Sequence, residues 1–323
     1  MKRGLIIGKF LPIHAGHLAL IDFAASQCDE LIVSMSYTLA DPIDWQLRYG
    51  WLKELVKNKP NVKAEVSLDD FDDESLPLTK RVQRWAVFIK KRFQPIDCLF
   101  SSEEYGEPFA SELGITHKLF DLSRSTLPVS GTLIRQNPFK YWDFIPDIVR
   151  PYFVKKICFY GPESTGKSTM SKHVASLYKT EYVPEVAREF ITTNEFSVED
   201  IIRIGNAQTQ RVFEKVKTAN KILCCDTDLI TTQVYSKIYL NEVPQILYDL
   251  EKQIKYDYYF LFDIDVPWVA DGLRDLGSKR QEMFNWFKSE LEVRNISYEI
   301  IKGSWNEREA LVRKRIEQLL NPS

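Results

Sequence analysis

Histidine is scarce in this chain, with only four among 323 residues, and the five cysteines form no Cys-x-x-Cys pair and no metal-ligand spacing. A zinc ribbon and a disulfide framework are thereby excluded. Three of the cysteines sit inside apolar, strand-like runs, as small buried side chains do in a reducing compartment. No apolar run approaches the length needed to span a membrane. The first residues read as a strand, "GLIIG", without the shape of a signal peptide, so the expected location is cytoplasmic, with no membrane partner. Lys and Arg total 43 against 45 Asp and Glu, a net charge of −2, which gives no sign of a basic face for nucleic acid, although a local patch can sit within such a total. There is no internal repeat, no low-complexity tract and no Gly/Ser-rich linker. Self-association into a homo-oligomer is left open.

What is present is alternation. A chain of this length exceeds what one core usually organises. Short apolar runs ("RGLIIG", "ELIVSMS", "DCLFSS", "HKLFDL") alternate with amphipathic, helix-length segments. A second series ("KKICFYG", "TEYVPE", "KILCCDTD", "YDYYFLFDID", "ISYEIIKG") does the same. Such spacing indicates βαβ units with buried parallel strands. Between the series lies "NPFKYWDFIPDIVRPYFVKK", whose prolines and aromatics read as a packed junction. Two α/β domains are expected, residues 1–150 and 151–323.

The second series opens on "KICFYGPESTGKST". Gly161, Gly166, Lys167 and Ser168 fit G-x-x-x-x-G-K-[ST] between a strand and a helix, the setting in which that loop cradles phosphates. The backbone from Glu163, Ser164 and Thr165 to Thr169 would curl around the β-phosphate of ATP. Lys167 would reach the β and γ oxygens, and Ser168 would ligate Mg²⁺. A later strand ends in Asp226, a second candidate metal ligand and catalytic carboxylate, with Asp228 two residues on. Asp228 reads equally as a helix cap. Glu185 and Arg188, after "EYVP", suit recognition of an acceptor hydroxyl and its neighbours, or form a surface ion pair. "DGLRDLGSKR" offers Arg274, a candidate for neutralising the transferring group, and Arg280. The tetrapeptide N-K-x-D of guanine recognition is absent, so a switch GTPase is disfavoured. A phosphotransferase acting on a small molecule fits better.

The first series opens on "GKFLPIHAGH", Gly8 to His17. Gly8, Lys9 and Phe10 follow a strand, and His14 and His17 stand at a helix entrance, on one side, where they can meet a phosphate. The remaining histidines, His117 and His173, read as structural. In "VSGTLIR", Ser130 and Thr132 offer hydroxyls, Gly131 allows close backbone approach, and Arg135 follows one turn later. Gathered around one triphosphate, these groups would serve adenylyl transfer. The attacking phosphate is already ionised, so alignment and charge stabilisation suffice.

"GKFLPIHAGH" with "VSGTLIR" resembles the nucleotidyltransferase superfamily. Joined in order to "GPESTGKS", "YVPEVAREF", "DTDLITTQVY" and "DGLRDLGS", the set resembles the NadR-type bifunctional family over about residues 3 to 318. The resemblance implies a Rossmann-like adenylyltransferase domain followed by a P-loop kinase domain. The kinase would phosphorylate ribosylnicotinamide to nicotinamide mononucleotide (NMN), and the first domain would join NMN to the AMP part of ATP, giving NAD. It also implies that Ser101 and Tyr105, in "SSEEYG", line the dinucleotide pocket, with Trp85 a candidate for stacking on nicotinamide. Some family members carry an N-terminal helix-turn-helix; the chain opens two residues before its first strand, so none is expected. Because the motifs read phosphates and not the acceptor base, a flavin- or pantetheine-type substrate pair stays open, as does a nucleotide-sensing regulator with one inactive site.

Overall fold

The structure, a computed structural model, describes residues 1–191, 193, 195–269 and 276–321. The chain divides into two compact units, Met1–Val149 and Arg150–Ser323. The first runs β1 (Arg3–Gly8), α1 (Ala15–Ala25), β2 (Glu30–Tyr37), α2 (Trp45–Val56), β3 (Val62–Leu68), α3 (Leu78–Arg92), β4 (Cys98–Ser101), α4 (Gly106–Leu113), β5 (Thr116–Leu119) and α5 (Gly131–Gln136). The strands form one parallel sheet in the order β3-β2-β1-β4-β5. β1, β2 and β4 are continuous apolar runs because helices cover both their faces. Leu5, Ile32 and Leu99 from these strands pack with Val82 and Ile89 of α3 and Phe109 of α4.

In this sheet β1 has β2 on one side and β4 on the other. The chain order reverses there, and beyond the carboxyl end of β1 the connecting loops part to leave a crevice, the usual ligand position in open α/β sheets. Gly8, the last residue of β1, opens onto it.

The second unit runs β6 (Lys155–Tyr160), α6 (Lys167–Leu177), β7 (Tyr182–Val183), α7 (Ala187–Phe190), α8 (Val198–Lys215), β8 (Ile222–Asp226), α9 (Leu229–Leu240), α10 (Gln245–Glu251), β9 (Tyr258–Phe262), α11 (Arg280–Val293), β10 (Tyr298–Ile301) and α12 (Trp305–Leu320). Its parallel sheet has the order β10-β9-β6-β8-β7. Successive side chains of a strand face opposite sides, and β6 shows it. Ile157 and Phe159 join the core under α6 and α12, whereas Cys158 and Tyr160 join the core under α9 and α11. The five cysteines are all free thiols, and four are buried. Among the described residues no helix is long and apolar enough to cross a membrane.

Candidate active sites

At the end of β1 the chain turns through Phe10 (φ 45°) and enters α1 with His14 at its N-cap. Arg48 of α2, fully buried, holds this turn. Its guanidinium donates to the Lys9 carbonyl at 2.5 Å and the Ile43 carbonyl at 3.0 Å, and pairs with Asp41. The backbone N–H of His14 donates to Nδ1 of His17 at 3.3 Å, leaving Nε2 of His17 to carry the ring proton. The two imidazoles lie 3.8 Å apart between centroids. Burial, and then the nearby Arg124 cation, push His14 down to about 4. Burial, then His14 and Arg124, push His17 well below its ordinary value. Both rings are therefore neutral N–H donors near pH 7. His14 Nδ1 is buried without a hydrogen-bond partner among the described residues.

Opposite them, Ser130 caps α5 by accepting from the Leu133 N–H at 3.2 Å. The Arg135 guanidinium donates to the Leu11 carbonyl and, at 3.2 Å, to Thr132 Oγ1. Gly131 is needed for this meeting: a Cβ there would lie 2.5 Å from the Leu11 carbonyl oxygen. One cavity of about 570 Å³ is lined by Gly8, Lys9, Phe10, His14, His17, Ser130, Thr132 and Arg135 together. Sequence reasoning passed over Arg124, which also lines it and pairs with Glu103 at 2.7 Å; "DLSRS" carries no motif that could have pointed to it.

A second cavity, about 280 Å³, adjoins the first and shares Gly8, Lys9 and Tyr105 with it. Its walls are aromatic: Phe71 stacks on Phe88 at 4.1 Å, and Trp85 meets Tyr105 edge-on at 5.5 Å. Trp85 lines this cavity while its edge packs on Phe109, so packing and exposure to the cavity coexist in one ring. Tyr105 is fixed between the cavities by its hydroxyl, which donates to the Ile7 carbonyl at 3.1 Å. Lys9 stands at the same boundary, 2.8 Å from Glu74; burial pulls its ammonium down, but Glu74 outweighs this and its pKa is raised. Ser101 corrects the expectation for "SSEEYG". It reaches neither cavity, being buried with its hydroxyl 2.9 Å from His117 Nε2, while His117 Nδ1 lies 3.0 Å from Glu107. The row is enclosed, since a Cβ on Gly106 would fall 2.1 Å from Ser101 Oγ.

In the second unit the phosphate loop follows β6, the central strand. Gly161 (φ 127°), Ser164 (φ 54°) and Gly166 (φ 91°) turn it, and a Cβ at Gly161 would come within 3.0 Å of the Phe262 carbonyl. Lys167 is buried, with Nζ donating to the Pro162 carbonyl at 2.7 Å across the loop. Ser168 and Thr169, which follow it in α6, are exposed. Two arginines from distant parts of the chain brace the loop, Arg308 buried and Arg280 half-buried. Arg308 of α12 donates to the Thr165 carbonyl at 2.8 Å and pairs with Asp265. Arg280 of α11 donates to the Val266 carbonyl at 2.8 Å and to the Ser164 carbonyl at 3.4 Å. Arg280 is offered by "DGLRDLGSKR", whereas Arg308 belongs to no motif, because it donates to a backbone carbonyl 143 residues away. Arg274 lies outside the described residues.

β8 places Asp226 beside the loop. It is almost fully buried, Tyr182 donates to Oδ2 at 3.3 Å, and Oδ1 has no partner among the described residues. Burial, helped by the Glu185 carboxylate, pushes it up to about 6, against the pull of Lys167 and of the Ser168 and Tyr182 hydroxyls. Asp228 is a different case and corrects the substrate-binding expectation. It caps α9 by accepting from the Thr231 N–H at 2.9 Å, and also accepts from the Thr231 and Tyr259 hydroxyls at 3.1 and 2.9 Å. Its oxygens are consumed inside the protein. Glu185 and Arg188, paired at 2.9 Å, do reach a cavity, of about 100 Å³. They line it with Glu163 of the loop, Gln208 of α8 and the aromatic rings of Phe196, Tyr235 and Tyr239. A separate groove of about 420 Å³ on the loop is bordered by Ser164, Thr165, Gly166, Thr169, Trp305 and Arg308.

Residues 156–308 match a family of the description "AAA domain". Over 326 aligned residues the chain is 34% identical to the trifunctional NAD biosynthesis/regulator protein NadR of Escherichia coli (strain K12), spanning 91% of this chain and 77% of that relative. The chain belongs to the NadR family. The NadR of Salmonella typhimurium (strain LT2) is 33% identical over 330 residues, 93% of this chain and 78% of the relative. The chain is in addition similar to a nicotinamide-nucleotide adenylyltransferase of Methanoculleus marisnigri, 26% identical over 141 residues, 42% of this chain and 79% of that protein. A crystal structure of a NadR protein in complex with NR superposes with a TM-score of 0.81 at 21% identity, covering 100% of this chain and 97% of that one. This likeness carries the NadR fold across the whole chain.

Proposed function

We propose that this NadR-family chain is a bifunctional enzyme of NAD biosynthesis, with nicotinamide-nucleotide adenylyltransferase activity in the first unit and ribosylnicotinamide kinase activity in the second. The observation that carries the reading is the pairing of two independent phosphate cradles, each at the end of a central strand and each bordered by an aromatic-walled cavity. In the first unit the triphosphate of ATP would lie against His14, His17, Ser130, Thr132 and Arg135, with NMN in the cavity beside Trp85. The NMN phosphate oxygen attacks the α-phosphorus, the bond to the bridging oxygen breaks, and pyrophosphate leaves. The neutral imidazole N–H groups and Arg135 stabilise charge that grows on that leaving group without any proton transfer.

In the second unit the ribosylnicotinamide 5′-hydroxyl would attack the γ-phosphorus of ATP held by the loop, and ADP would leave. The hydroxyl proton passes to a neighbouring carboxylate, Glu185 or Asp226. Lys167 holds the β and γ oxygens. Asp226 Oδ1, buried without a partner among the described residues, and the Ser168 hydroxyl fit a hard, oxygen-seeking cation such as Mg²⁺. No described group of three or more His, Cys, Asp or Glu encloses such an ion, so phosphate and water would supply its other ligands. Bound there, Mg²⁺ would neutralise charge on the phosphate tail. We take the enzyme to act in the cytoplasm on small molecules, its near-balanced charge giving no sign of a nucleic-acid partner.

Purified protein with Mg-ATP should convert ribosylnicotinamide to NMN, and NMN to NAD with release of pyrophosphate, as resolved by chromatography. Both conversions should stop in excess chelator. Turnover of a flavin or pantetheine substrate pair in place of these would overturn the assignment. Gly131→Ala should lower NAD formation about a hundredfold, since a shift near 1 Å at an aligned site costs that much. Phosphorylation of ribosylnicotinamide should be unchanged in the same variant. An unaltered rate of NAD formation would show that the close approach of Gly131 to Leu11 is dispensable.

A further inference from the structure

Gln208 belongs to the helix face that α8 turns towards the core of the second unit, with Ile201 and Ile204. Only 3% of its surface is exposed, and it lines the cavity of Glu185, Arg188 and Tyr235. Its amide is oriented from one end. The backbone N–H of Val186 donates to Oε1 at 3.2 Å, which fixes the oxygen there and leaves Nε2 at the other end. That NH₂ group is buried with no acceptor among the described residues. An amide donor enclosed without a partner is a costly feature in a folded protein. Its placement in a cavity wall supplies a reason for it: the missing acceptor arrives with the ligand.

We propose that Gln208 is a specificity-determining residue of the kinase site, whose Nε2 donates a hydrogen bond to a neutral oxygen of the acceptor nucleoside. This rests on reading that cavity as the ribosylnicotinamide site. Two oxygens of the substrate have the required chemistry, the carboxamide carbonyl and a ribose hydroxyl. A carboxylate on the ligand is disfavoured, because Glu163 and Glu185 already line the same small space. The Val186 N–H directly follows Glu185, so one side chain ties the position of the acceptor cavity's acidic edge to the identity of what fills it.

The test uses the full chain and two variants. Gln208→Glu keeps an oxygen for Val186 and replaces the donor by an acceptor; Gln208→Met removes the donor without adding charge. Both should raise KM for ribosylnicotinamide about tenfold to a hundredfold, the equivalent of one buried hydrogen bond lost. The turnover number and KM for ATP should stay close to wild type, and NAD formation from supplied NMN should be unchanged. The penalty should vanish with the analogue that lacks the recognised oxygen, either the pyridinium riboside without its carboxamide or the 2′-deoxyriboside. The analogue on which it vanishes names the partner. If KM is unaltered in both variants, or the penalty persists on both analogues, the inference is wrong. A wild-type protein unable to phosphorylate ribosylnicotinamide would instead sink the reading of the cavity itself.

Discussion

Lys167→Ala should lower phosphorylation of ribosylnicotinamide about a thousandfold and leave NAD formation from supplied NMN within about twofold of wild type. The first magnitude is that of removing a preorganised charge aimed at a transferring phosphoryl group. Lys167 is buried and spans the loop to the Pro162 carbonyl, so its ammonium is held within the loop proposed to take the β and γ oxygens. The second magnitude follows from the division of the chain, since every residue lining the His14–Arg135 cavity belongs to the first unit. Rates of both reactions on the same preparation, with a thermal melt to establish folding, decide the matter. Equal loss of both activities in a folded variant would refute the assignment of one reaction to each unit.

His17→Ala should do the converse, lowering adenylyl transfer a hundredfold to a thousandfold, in the range of about 10²–10³ that one lost donor to a developing anion costs. His17 also accepts the His14 backbone N–H, so alanine removes a helix cap as well. His17→Asn separates the two effects, because its amide oxygen can take over the cap while its NH₂ remains a donor. A recovery of at least tenfold from alanine to asparagine, with the kinase rate constant throughout, would show that donation to phosphate is the role. If alanine and wild type form NAD equally fast, the ring plays no part in the reaction.

The fold could be read from the sequence to the degree that burial writes itself as apolar runs. Strands covered on both faces, such as "RGLIIG" and "KILCCD", leave unbroken hydrophobic stretches, and the alternation with helices gave the parallel α/β class. β3 escaped, for a physical reason. It is an edge strand with Lys63 and Glu65 between its apolar residues, and "VKAEVSL" carries too few consecutive hydrophobes to stand out. The site was readable where function is concentrated in a loop. The residues of "GKFLPIHAGH" and "VSGTLIR" come together around one cavity although more than a hundred positions separate them. Single carboxylates and hydroxyls were harder. Asp228 and Ser101 sit within motif-like stretches, yet their oxygens are spent on Thr231, Tyr259 and His117. Nothing in a linear pattern distinguishes an oxygen offered to a ligand from one consumed by the protein. Arg48 and Arg308 were invisible for a related reason, since their partners, backbone carbonyls and the carboxylates of Asp41 and Asp265, are brought near only through folding.

Arg308 has a consequence during synthesis. The motif from Gly161 to Thr169 leaves the ribosome far ahead of α12, but the guanidinium that holds the Thr165 carbonyl is made 143 residues later. A nascent chain therefore carries the whole nucleotide-gripping segment through the synthesis of the next 143 residues while lacking this brace. Tight capture of ATP by the second unit is in this way deferred until nearly all of that unit has been made.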